Sequence, residues 1–204
     1  MKVSSSIIEN KFLKIKTLNI GASLFEVYHK SKKINLILNL GSKENYKFKN
    51  FCVGSTCGRY AGRIGNAEFF IGKKKFFLNK NDGDNTLHGG KIGFDRLVWK
   101  KINHTKNKII YQVKSKHLDQ GFPGNLIVNC IYKIFKNELL IQYTYKSDLP
   151  THVNLTNHSY WNLNRDKVKN ILNHDLKINS DKYLKVDNSL IPNGKITNVK
   201  NSIY

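Results

Sequence analysis

Two widely separated histidines sit in unusually specific surroundings. His88 lies in Thr86-Leu87-His88-Gly89-Gly90, running on to Gly93-Phe94-Asp95, and His158 lies in Asn154-Leu155-Thr156-Asn157-His158-Ser159-Tyr160-Trp161-Asn162. Imidazole is the side chain whose unperturbed pKa lies nearest neutrality, so a pair in one cleft could bind a neutral polar molecule and hand it a proton. Either histidine alone would read as hydrogen-bonded surface or core. A third candidate is Arg63, in Gly58-Arg59-Tyr60-Ala61-Gly62-Arg63-Ile64. Held by a compact loop, its guanidinium would present a planar fork of donors suited to hydroxyls or carboxylates. Asn157 and Ser159 can orient the His158 ring, and Tyr160 and Trp161 could offer apolar faces to a ligand. The alternation of the segment implies that one of those two aromatics instead faces the core.

The elements that must position these groups are strands. In Leu126 to Phe135, Leu126, Val128, Cys130, Tyr132 and Ile134 share one face; after Asn137-Glu138, Leu139, Ile141, Tyr143 and Tyr145 do the same, which predicts a β-hairpin. Similar runs predict strands at Phe12 to Leu18, Ser23 to His29, Ile34 to Leu40, Ala67 to Ile71, Lys75 to Leu78, Leu97 to Ile102, Lys108 to Lys114 and His174 to Asn179. Only a weak helical turn is expected, near Tyr46 to Phe51. Regularly spaced short strands without comparable amphipathic helices argue an all-β, antiparallel sandwich. The glycine-rich segments that carry Arg63 and His88 fall between strands and are expected to be loops.

At 204 residues with no Pro/Gly/Ser-rich linker, the chain reads as a single domain, residues 1–204. The formal charge of +21 would suit nucleic acid or an anionic membrane if it were clustered. It comes instead from lysines scattered along the chain with abundant Asn and Ile; the arginines are Arg59, Arg63, Arg96 and Arg165. Dispersed lysine on tolerant surface positions implies neither a nucleic-acid nor a membrane partner. The densest run, Lys73-Lys74-Lys75, reads as a solvated hairpin turn between Gly72 and Phe76. Cys52, Cys57 and Cys130 lack metal-ligand or disulfide spacing, so no metal is expected. No apolar signal segment opens Met1 to Leu18, and a cytoplasmic location is expected.

These words resemble the aldose 1-epimerase, or galactose mutarotase, family. The resemblance rests on Gly58 to Ile64 with Asn66, Leu78 to Asn81, the His88 segment through Trp99, and Asp119-Gln120-Gly121-Phe122-Pro123-Gly124-Asn125-Leu126. It continues through the His158 segment and Val186-Asp187 to Leu190-Ile191-Pro192-Asn193-Gly194, in the family's order along nearly the whole chain. It implies the large antiparallel β-sandwich of the galactose mutarotase type and an aldohexose substrate, galactose or glucose, whose α and β anomers are interconverted by acid/base ring opening without a cofactor.

The resemblance makes His158 the general acid and His88 the second catalytic histidine, which also holds the sugar with Arg63 and Asn157. Gly62 stands where many relatives carry Asn. The family places an aspartate and a catalytic glutamate in a C-terminal part. The expectation is therefore an N-terminal portion of the family domain, truncated at the C-terminus, with a complementing C-terminal fragment as a partner. Asp82, Asp84 and Asp95 lie near the histidine loop, but the resemblance gives none of them the base role, and Asp95 reads as a brace for its loop. A non-catalytic carbohydrate-binding remnant and a hexose-6-phosphate 1-epimerase stand as alternatives.

Overall fold

The computed structural model describes residues 2–47, 52–165 and 170–200. Strands β1 (Ser5–Glu9), β2 (Leu13–Leu18), β3 (Ser23–His29) and β4 (Ile34–Asn35) form an antiparallel sheet in sequence order. A run of short pieces follows: β5 (Thr56–Cys57), β6 (Arg63–Ile64), the hairpin β7 (Glu68–Ile71) and β8 (Lys74–Phe77), and β9 (Thr86–Leu87). A second antiparallel sheet, again in sequence order, comprises β10 (Lys100–His104), β11 (Lys108–Ser115), β12 (Leu126–Phe135) and β13 (Glu138–Ser147). Then come β14 (Thr156–Asn157), which pairs with β5, and the hairpin of β15 (Lys182–Val186) and β16 (Pro192–Asn198). Helix among the described residues is confined to two short 3-10 turns, so none is long and apolar enough to cross a membrane.

The two four-stranded sheets close on each other as an all-β sandwich. Ile8, Ile15, Leu24 and Val27 from one sheet meet Ile109, Tyr111, Val113, Val128, Cys130, Tyr132 and Ile134 from the other. Successive side chains of a strand point to opposite faces, so the alternation of β12 buries Leu126, Val128, Cys130, Tyr132 and Ile134 together, with the aliphatic Leu126, Val128 and Ile134 each worth about 1.5–3 kcal/mol. Phe94 and Trp99 close one end edge to face at 5.8 Å, with the Trp99 Nε1–H donating to the Phe94 carbonyl at 3.0 Å.

The hairpin predicted around Asn137 is present in full register, from Leu126↔Ser147 to Phe135↔Glu138, with Lys136 and Asn137 as its turn. Other expectations need correction. The strand predicted over Ile34 to Leu40 is a ladder only at Ile34–Asn35, because the Asn35 carboxamide inserts itself: its Oδ1 accepts the Val27 N–H at 3.0 Å and its Nδ2 donates to the Ile37 carbonyl at 2.8 Å. No strand forms over His174 to Asn179; pairing begins at Lys182. The lysine run is only in part a turn, since Ile71 pairs with Lys74 and Lys74 and Lys75 belong to β8. Of the helical turn expected near Tyr46 to Phe51, Glu44–Lys47 is a 3-10 turn, and residues 48–51 lie outside the described residues.

Candidate active site

Arg59 anchors the first loop. Its buried guanidinium donates through Nε to Ser115 Oγ (2.9 Å), through Nη2 to the carbonyls of Ser115 (3.0 Å) and Lys116 (2.7 Å), and through Nη1 to that of Pro123 (2.8 Å). Burial pulls its pKa down to about 10, although Asp119 and Asp148 act in the opposite sense. With Arg59 fixed between β11 and the Phe122–Pro123 turn, the backbone that follows is carried to the cleft. There the Asn154 Nδ2 donates to the Ala61 carbonyl at 2.8 Å, and the Ala61 N–H donates to the Asn154 carbonyl at 2.7 Å.

His88 arrives on an adjacent loop. β9 pairs with β6, Arg63 opposite Leu87, and the pairing continues one residue further: the His88 N–H donates to the Gly62 carbonyl at 3.0 Å, while the Gly62 N–H donates to His88 Nδ1 at 3.0 Å. Because Nδ1 accepts, the neutral ring carries its proton on Nε2. Gly89 must be glycine: its φ is +92°, and a Cβ there would lie 1.9 Å from the Gly58 carbonyl oxygen. That close approach presses the histidine loop onto the arginine loop. Burial, reinforced by the charge of a protonated His158, holds the His88 pKa below its ordinary value.

His158 follows β14, whose pairing with β5 is extended by the His158 N–H to the Ser55 carbonyl (2.9 Å) and the Gly54 N–H to the His158 carbonyl (2.9 Å). The two imidazoles, far apart in sequence, meet edge to face with centroids 5.4 Å apart, and the Tyr160 ring centroid lies 5.0 Å from that of His158. Among the described residues no protein group hydrogen-bonds the His158 ring nitrogens, so they stand available to a ligand. The cleft is open, about 490 Å³, and lined by Ala61, Gly62, His88, Asn154, Asn157 and His158 among others, a size usual for small-molecule sites.

Asn157 borders this cleft, but its carboxamide turns inward. Nδ2 donates to the Gly54 carbonyl at 2.9 Å and to the buried Tyr132 hydroxyl at 3.3 Å, while Oδ1 accepts from Ser159 Oγ at 2.6 Å. Its amide is thus engaged in holding the backbone on either side of His158. Arg63 does not line the histidine cleft: one residue beyond Gly62, it faces another depression, lined with Asn66, Asp82, Asn85, Asn188 and Ser189 among others, and its Nε donates to Asp82 Oδ2 at 2.7 Å. Asp82 had no assigned partner in the sequence, although its place in the polar turn Asn81-Asp82-Gly83-Asp84-Asn85 was a signal that it would sit at a loop tip. Neither Tyr160 nor Trp161 is core, at 42% and 48% exposed; the buried residue of that segment is Asn162, whose N–H bonds the Leu36 carbonyl at 3.0 Å. Among the described residues no group of three or more His, Cys, Asp or Glu is placed to hold a metal ion.

The two-sheet sandwich carrying the two-histidine cleft has the fold of galactose mutarotase-like proteins of known structure. In crystal structures the same fold occurs in an aldose epimerase homologue from C. elegans, with a TM-score of 0.92, 28% identity, and coverage of 98% of this chain and 62% of that one. Galactose 1-epimerase from Lactobacillus acidophilus superposes with a TM-score of 0.81 at 30% identity, covering 98% of this chain and 64% of that one. In sequence, the aldose 1-epimerase of Haemophilus influenzae is 39% identical over 168 residues, 81% of this chain and 49% of the relative. Human galactose mutarotase is 31% identical over 200 residues, 97% of this chain and 58% of the relative. The aldose 1-epimerase family profile matches residues 5–204, and the chain belongs to that family. It spans about half the length of the Haemophilus relative (49%).

Proposed function

We propose that this chain carries the acid and sugar-holding side of an aldose 1-epimerase site, acting on a free aldohexose such as galactose or glucose in the cytoplasm. The observation that carries this reading is the convergence of His88 and His158, 5.4 Å apart, on one open cleft. Anomer exchange requires an acid to protonate the ring oxygen and a base to take the proton from the C1 hydroxyl; the open aldehyde rotates about C1–C2, and closure reverses both transfers. His158, whose ring nitrogens no group among the described residues engages, is suited to deliver the proton. His88, whose Nδ1 is occupied by the Gly62 N–H, is suited to donate from Nε2 to a sugar oxygen. Asn157 acts by holding the His158 strand. The Arg63 charge is balanced by Asp82, and among the described residues no lysine lines the histidine cleft, which favours a neutral sugar over a phosphorylated one.

The carboxylates beside the cleft are poor candidates for the base. Asp82 is bonded to Arg63, Asp84 to Lys80 Nζ at 2.7 Å, and Asp95 is buried with Arg96 Nε 3.9 Å away. The base is instead the glutamate that the family resemblance places in a C-terminal part, supplied to this site by further polypeptide or a complementing fragment. General acid–base assistance is worth roughly 10²–10⁴-fold, about 3–5 kcal/mol of barrier. The test is polarimetry of freshly dissolved α-D-galactose together with NMR titration of the histidine rings. The 204-residue chain is expected to show galactose-dependent shifts at His88 and His158 but little acceleration. Absence of any shift with galactose or glucose would overturn the sugar reading. Full mutarotase rates would move the base to Asp82, Asp84 or Asp95.

A further inference from the structure

Arg63 is useful to a sugar only if its fork is aimed, and a long side chain on the two-residue strand β6 does not aim itself. We propose that Asp82 is a positioning residue of the sugar site: it grips Arg63 by the Nε edge and leaves the terminal amino groups for substrate hydroxyls, which rests on the sugar-site reading above. Several contacts make Asp82 a fixed point. Its N–H donates to the Asn85 carbonyl (3.2 Å) and its own carbonyl accepts the Asn85 N–H (3.0 Å), closing a tight turn. The Asn85 Oδ1 accepts the Asn66 N–H at 3.1 Å, tying the turn to the chain just beyond Arg63. The neighbouring Asn81 carboxamide accepts the Leu87 N–H at 2.7 Å and donates to the carbonyls of Leu87 (2.9 Å) and Gly90 (3.1 Å), tying the same turn to the His88 loop. The carboxylate at the centre of this scaffold meets Nε at 2.7 Å, with the two side chains 25% and 32% exposed. Among the described residues Nη1 and Nη2 of Arg63 have no protein acceptor.

A charge-assisted bond at Nε fixes the plane of the guanidinium and keeps its other donors free, which is how a second residue tunes a binding group without touching the ligand. The carboxylate also offsets the arginine's charge beside His88. Asp84, two residues on, is exposed and paired with Lys80, so it cannot substitute.

The experiment is an NMR titration of the 204-residue chain with D-galactose in wild type, Asp82→Ala, Asp82→Asn, Arg63→Ala and the double variant, with thermal melts to verify folding. Asp82→Ala is expected to weaken binding about tenfold, the scale of one charge-assisted hydrogen bond to the sugar lost through misaim. Asp82→Asn, which retains an acceptor oxygen for Nε, should recover most of that loss even if the alanine variant folds poorly. In the Arg63→Ala background, Asp82→Ala should have no further effect, because its action passes through the arginine. Wild-type affinity in Asp82→Ala, or additive losses in the double variant, would overturn the assignment while leaving the sugar site standing. Failure of the wild type to bind galactose or glucose would overturn both.

Discussion

Gly89→Ala is the sharpest probe of how the two histidine-bearing segments are assembled. The residue has φ of +92°, and in that region an L side chain costs about 1–2 kcal/mol. The added Cβ would also sit 1.9 Å from the Gly58 carbonyl oxygen and 2.3 Å from its carbon, backbone atoms that no side-chain rotation can clear. Restoring an ordinary contact near 3 Å requires the loops to separate by about 1 Å, a distortion in the class of overpacking penalties of about 1–3 kcal/mol. The sum is about 2–5 kcal/mol, or roughly 4–20 °C in Tm for a chain of this size. Gly83→Ala is the control: its φ is +59° but nothing lies within 4 Å of its Cβ position, so it bears only the conformational cost. Thermal and urea unfolding of both, followed by circular dichroism, should place Gly89→Ala at least about 1 kcal/mol below Gly83→Ala. Galactose binding should fall further than stability does, because the same separation moves His88 away from His158. Equal losses in the two variants would refute the close-approach argument.

Two further outcomes follow from buried charge. Arg59→Met removes donors from the carbonyls of Ser115, Lys116 and Pro123, and since bonds from charged groups contribute about 1.5–3 kcal/mol each, a net loss of at least about 3 kcal/mol is expected in urea unfolding even after relief of guanidinium burial; a loss under about 1 kcal/mol would contradict this. His88 has a folded pKa held below its unfolded value of about 6.5 by burial and by His158, so the unfolded chain binds the proton more readily; its contribution to stability is complete above that pH and is lost as pH falls toward and through the folded pKa. Stability should therefore decline on acidification below about 6.5, and the slope should be shallower in His88→Gln, as read from Tm against pH.

Much of this molecule was legible in its residues. Alternation over Leu126 to Phe135 and Leu139 to Lys146 placed a hairpin to within a residue of its turn, because a strand buried on one face permits one register: a slip by one would turn Val128, Cys130 and Tyr132 to solvent. The unusual words around Arg63, His88 and His158 marked three candidate groups, and their order resembled one family. Pattern failed where side chains compete with the ladder, as Asn35 does, and at the alternating run His174 to Asn179, which pairs with no strand among the described residues. What the tertiary structure alone decided is which groups meet and what each atom is free to do. It brought His88 within 5.4 Å of His158, turned the Asn157 amide inward to Gly54 and Tyr132, and set Asp82 against Arg63. The residue types define which bonds are possible; which of them form depends on loops whose approach is set by backbone contacts such as Gly89 on Gly58, and no local pattern encodes a contact between chain segments that distant.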